Sequence, residues 1–70
     1  MTKYMLIMKI CSVLQGQCLP EYNAGVHNSW YDCAAVGTLM TASALSEMGP
    51  DMVNDQKIYV TFKCDPIMGA

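Results

Sequence analysis

Four cysteines, one histidine and a few carboxylates are the residues of this 70-residue chain whose types could do chemistry. Six, fourteen and thirty residues intervene between Cys11, Cys18, Cys33 and Cys64. Zinc sites gather thiolates in close pairs such as C-x2-C, which these spacings do not supply, and only His27 or Asp32 stands ready to complete a set. Neither metal nor organic cofactor is expected. Cys33 at a helix start would have its thiol acidified by the helix dipole, with His27 six residues upstream as a base. A staple from the first helical turn to the preceding loop is the simpler use of the same cysteine. Asp51 and Asp55 form a solvated acidic edge, and glycine-rich phosphate loops, framed carboxylate pairs and Ser/His/Asp sets are missing. The chain is expected not to be an enzyme.

An even cysteine count in a short chain points to a disulfide framework. A single domain over residues 1–70 buries only about 60% of its unfolded surface, so its core is marginal, and two disulfides worth roughly 2–4 kcal/mol each would stabilise it. Three pairings are possible. Parallel first and last strands would bring Cys11 and Cys64 to one end, which favours Cys11–Cys64 with Cys18–Cys33. Strict alternation points Cys11 away from the core and Cys64 into it, so that pairing also requires a bulge or an early strand end.

Four lysines, no arginine and six carboxylates give a charge of −2, which excludes the concentrated basic patch that nucleic-acid binding needs. Charged residues are 14% and apolar ones 53%, a balance that favours burial against a partner over disorder. No apolar run is long enough to span a membrane. The opening "MTKYMLIMKICSVLQG" has the lysine and apolar stretch of a secretory signal, but Lys9 breaks the run and cleavage beyond Ser12 would strand an odd number of cysteines. An uncleaved first strand is the expectation.

Residues 3–11, "KYMLIMKIC", and 57–64, "KIYVTFKC", read as two strands. Period-two alternation gives Tyr4, Leu6, Met8 and Ile10 one face of the first, and Ile58, Val60, Phe62 and Cys64 one face of the second. Residues 12–27, with Gly16, Pro20 and Gly25, read as an ordered loop pinned by Cys18. Asn28 or Ser29 then caps a helix, with Ser29 and Asp32 making a capping-box-like start, Gly49 and Pro50 end it, and residues 51–55 connect it to the second strand. The expected fold is α+β: a two-stranded sheet with one helix, in the order β-loop-α-β, stapled by two disulfides. Two strands make too small a sheet alone, so the loop or a second copy should add an edge.

The helix stripe of Trp30, Cys33, Ala34, Gly37, Met40, Thr41, Ala44, Leu45 and Met48 should face the core, with Trp30 in the core and Tyr31 at the surface. Its other side lacks the charges of a solvated face. Tyr31, Ala35, Val36, Thr38, Leu39, Ala42 and Ser43 are therefore expected at an interface, joined by Met5, Ile7 and Tyr59 on the back of the sheet. A lysine at Val36 or Ala42 should block assembly and leave the protomer folded. Trp30 and Tyr31 should also cluster with Tyr22 and His27.

An apolar opening ending "ICS", then "CLP", then "NSWYDC" leading a helix with Gly49, "VN" at 53 and 54, and a closing strand ending in a cysteine form a pattern. It resembles small four-cysteine hypothetical proteins of marine bacteriophages, a group with no established activity. The resemblance implies a phage source and, with it, a virion accessory protein of capsid-decoration type, in the virion or outside the cell. A host-directed binder or inhibitor in host cytoplasm is the alternative, and a small secreted disulfide-rich protein a further one. The expected partner is protein, as a homo-oligomer or a larger assembly, with neither nucleic acid nor a membrane span.

Overall fold

The computed structural model describes residues 2–68. β1 (Thr2–Ser12) is the middle strand of a four-stranded, wholly antiparallel sheet, and one helix, α1 (Trp30–Gln56), covers one of its faces. β4 (Ile58–Met68) pairs with β1 over eleven residues, from Thr2 opposite Met68 to Ser12 opposite Ile58. β2 (Gln17–Cys18) and β3 (Tyr22–His27) occupy the other edge of β1.

The two-stranded expectation is thus corrected: the segment read as a loop supplies two strands. β1 would otherwise carry a second edge of unpaired backbone groups, and burial makes such groups costly. Gly16, at φ 65°, closes a hairpin by donating its N–H to the Ser12 carbonyl at 2.9 Å. The chain then returns along β1. Asn23 Oδ1 accepts from the Gly25 N–H at 2.7 Å, and Gly25, at φ 123°, takes the extra residue that shifts the register between Met5 and Ile7. That bulge lets "YNAGVH" pair despite its turn-forming residues.

Ser29 caps α1, its Oγ accepting from the Asp32 N–H at 3.0 Å, as the Ser29/Asp32 spacing predicts. Ser29→Ala should lower stability by about 1 kcal/mol, read as a lower denaturation midpoint; an unchanged midpoint would refute the cap. The first helical run of α1 ends at Gly49, as the Gly49–Pro50 pair predicts. That glycine, at φ 85° and ψ 160°, breaks the helical path, and Pro50 begins a further helical stretch to Gln56, a position where its missing N–H costs nothing. Lys57, left-handed at φ 52°, closes α1 by donating its N–H to the Val53 carbonyl. The β1–β2 turn grips this end: Ser12 Oγ donates to the Gln56 carbonyl at 2.6 Å and the Val13 N–H to the Lys57 carbonyl at 3.0 Å.

The strand faces follow the alternation. Leu6 opposes Cys64, Met8 opposes Phe62 and Ile10 opposes Val60 beneath the helix. Leu6, Met8, Cys33 and Cys64 form the buried centre, with Val36, Met40, Val60 and Phe62 packed on it. Gly37 is buried against the Phe62 ring.

The disulfides are Cys11–Cys18 and Cys33–Cys64, which overturns the expected Cys11–Cys64 and Cys18–Cys33 pairing. Antiparallel strands are the reason. Cys11 lies opposite Tyr59, five positions along β4 from Cys64, so the two cannot meet. Cys11 instead bridges to its ladder partner Cys18, and Cys64, pointing into the core, bridges to Cys33 of the helix.

Candidate functional site

The expected interface residues fall into three groups. Tyr31, Thr38, Leu39, Ala42 and Ser43 lie exposed on the outer side of α1, with Tyr31 79% and Leu39 70% exposed. Met5, Ile7 and Tyr59 lie on the sheet face that α1 leaves open, Tyr59 exposed and the other two half-buried, and Val26 joins them opposite Met5. Val36 belongs elsewhere: it packs on the buried centre, and Ala35 is half-buried. The stripe is rotated from the expected one because the Cys33–Cys64 bridge and the contact of Gly37 with Phe62 turn the 33/37/40 line toward the sheet. A lysine at Val36 would therefore disrupt the fold, leaving Ala42 as the informative surface position.

The same rotation moves Trp30 out of the core. It is 59% exposed and meets the Tyr4 ring edge to face at 5.6 Å. The expected aromatic cluster is rearranged too: Tyr22 reaches Met8 Sδ from its Oη at 3.9 Å, while His27 pairs with Tyr4 in the ladder. His27 Nε2 is buried with no hydrogen-bond partner among the described residues.

Two threonine hydroxyls on α1 are satisfied internally. Thr38 Oγ1 donates to the Ala34 carbonyl at 2.9 Å and Thr41 Oγ1 to the Gly37 carbonyl at 2.8 Å, so this side of the helix makes little demand on water. Beside it runs an open groove of about 510 Å³ between α1 and the outer edge of β4, lined by Thr38, Thr41, Ala42, Leu45, Val60, Thr61 and Phe62.

Sequence reasoning missed that edge. The Lys57 carbonyl accepts from Val13, just after β1, and continuing that ladder turns the backbone groups of odd-numbered β4 residues toward β1. Ile58, Val60, Phe62 and Cys64 then turn theirs outward, where no described strand pairs with them. Pro66 fits this parity, because an outward position is where a strand tolerates a missing N–H. A later proline on an otherwise uninterrupted strand was the available signal.

A second depression, of about 250 Å³, lies where the Cys11–Cys18 bridge meets Ser12, Gln15, Leu19 and Gln56. Among the described residues, no group of three or more His, Cys, Asp or Glu is placed to hold a metal ion, and no helix is long and apolar enough to cross a membrane. The two disulfides are compatible with an oxidising environment. No protein-family model matches the chain, and no curated protein or solved structure does.

Proposed function

We propose that this protein is a non-enzymatic protein-binding module, and that its setting is a phage particle, as an accessory protein on the capsid or another virion surface. The imbalance between its core and its surface carries the reading. Among the described residues, ten large hydrophobic side chains are exposed and five hydrophobic residues are buried. Single exposed apolar residues are ordinary, but Tyr31 and Leu39 share the outer side of the helix, and Val26 lies beside half-buried Met5 on the open sheet face, surfaces a partner could cover. The shape supports it further: extents of 44 × 20 × 12 Å and a radius of gyration of 13.5 Å, against about 11 Å for a compact chain of this length, describe a flat slab with much surface per residue. Disulfides suit a protein that works outside a reducing cytoplasm, and the resemblance to small phage proteins supplies the particle.

Mass spectrometry of purified particles from the phage that encodes the chain tests the setting. The oxidised protein should co-purify with particles in a fixed ratio to a capsid component. Its absence from particles, together with recovery in complex with a host protein, would replace this reading with the host-directed one.

A further inference from the structure

We infer that the Cys11–Cys18 bridge is a thiol-exchange site and a redox-sensitive latch: a low-molecular-weight thiol opens it through a mixed disulfide on Cys18, while Cys33–Cys64 stays closed and keeps the fold. The inference goes beyond the virion reading and does not depend on it. The two bridges differ in access. Cys33 is fully buried and Cys64 is 8% exposed at the centre of the core, whereas Cys18 is exposed on β2 and only its partner Cys11 is buried. Exchange requires a thiolate to reach a disulfide sulfur, so access governs its rate.

The surroundings of the exposed bond fit an incoming thiolate. Ser12, Gln15, Gln17 and Gln56 line the depression of about 250 Å³ beside the bridge, and none of its lining residues is charged. An anion therefore meets amides and a hydroxyl, groups that also suit the peptide bonds of a thiol such as glutathione. Its sulfur attacks Cys18 Sγ from the solvent side. A bond forms between the two, the Cys11–Cys18 bond breaks, and the electron pair leaves on Cys11 Sγ, which takes a proton from water. A second thiol attacks the mixed disulfide, releases Cys18 as a thiol and departs joined to the first. Two thiols are thereby oxidised to one disulfide and the bridge is reduced by two electrons.

Opening the bond acts locally. Leu19 donates its N–H to the Ile10 carbonyl at 2.8 Å, which makes Ile10/Leu19 and Ser12/Gln17 the hydrogen-bonded pairs and leaves Cys11/Cys18 as the pair between them. The disulfide therefore ties β1 to β2 at a position where the backbone does not. β2 is only two residues long, and every residue from Val13 to Pro20 is exposed. Little burial and solvent-exposed backbone hydrogen bonds mark a segment that opens at low cost once its covalent tie is cut. Its release uncovers the edge of β1 from Ile10 to Ser12. The hold on the helix end survives, because Ser12 Oγ and the Val13 N–H bond the Gln56 and Lys57 carbonyls from the β1 side of the turn. Oxidised and opened forms thus share a core and differ in whether the β1–β2 hairpin is fastened.

The oxidised full chain, incubated with reduced glutathione, quenched with iodoacetamide and read by intact and peptide mass, tests the latch. It should pass through a species with glutathione on Cys18 and the alkyl group on Cys11. It should then accumulate with Cys11 and Cys18 alkylated, Cys33–Cys64 intact and the circular dichroism of the native fold. Cys33 and Cys64 should react at least about a hundredfold more slowly, because their exchange waits for the core to open. Amide hydrogen exchange in the opened form should speed up at Gly16 and Leu19 and stay unchanged along the β1–β4 ladder. In a Cys11→Ser, Cys18→Ser variant the remaining bridge should resist glutathione as it does in the native chain. Direct passage to a four-thiol chain, glutathione first on Cys11, Cys33 or Cys64, unaltered exchange at Leu19, or a labile Cys33–Cys64 bridge in the serine variant would overturn the proposal. None of these outcomes bears on the virion setting, which the composition of particles decides separately.

Discussion

Replacing Cys33 and Cys64 together by alanine is expected to remove most of this protein's stability. The bridge spans 31 residues, and loop-closure entropy assigns it about 3.7 kcal/mol. A chain of this length has a total of roughly 3.5–10 kcal/mol. Both sulfurs also sit in the buried centre, Cys33 fully and Cys64 nearly so, and their loss leaves unfilled space between α1 and the sheet. The corresponding change at Cys11 and Cys18 closes a span of seven and should cost less, about 2.3 kcal/mol. Urea denaturation of the two double variants ranks them. If the Cys11/Cys18 variant proves the less stable, the helix-to-sheet bridge does not have the role assigned here.

The second large effect concerns Gly37. A Cβ built there would lie 2.5 to 2.8 Å from atoms of the Phe62 ring, closer than real Cβ contacts come. The helix therefore sits as near to β4 as a bare backbone allows. Gly37→Ala gains about 1 kcal/mol of helix propensity, which offsets part of an overpacking cost of roughly 1–3 kcal/mol. Gly37→Val adds bulk without that gain and should lose about 2–3 kcal/mol. Phe62→Leu frees space at the contact, so a double-mutant cycle should return a favourable coupling of at least about 1 kcal/mol. Strict additivity in that cycle would mean the two residues do not meet.

Gly37 also shows where the sequence was legible and where it was not. Its place on the core stripe could be read from helical spacing, as could the alternating faces of β1 and β4 and the Ser29 start, because each depends on residues a few positions apart. The β3 strand could not be read in this way. "YNAGVH" has the composition of a turn, and it becomes a strand only because β1 offers a partner. The disulfide pairing failed for a related reason: it depends on strand direction, which a distant pairing decides. A glycine between Cys11 and Cys18 was the local sign of a hairpin that would bring them together. Trp30 was misplaced because a large aromatic at a helix start was read as a core residue, whereas the bridge at Cys33 fixes the rotation of the helix and turns Trp30 toward Tyr4 and the solvent. For the candidate surfaces, the helix side was readable as a lack of charge. The free edge of β4 was not, since an edge exists only once the strand order is known.

The strand order also sets a timetable for oxidation. β1 is complete early in the chain, yet its longest partner, β4, is near the other end, so their pairing waits on a costly closure of the intervening segment. The β1–β2 hairpin needs no such wait. Closing the seven-residue span between Cys11 and Cys18 is favoured about threefold over the fifteen-residue span from Cys18 to Cys33 on loop entropy alone, and the hairpin aligns the two thiols as ladder partners. Once that bridge forms, Cys33 and Cys64 have only each other. A local turn written between Cys11 and Cys18 thereby biases oxidation toward the native one of three possible pairings before the core is assembled.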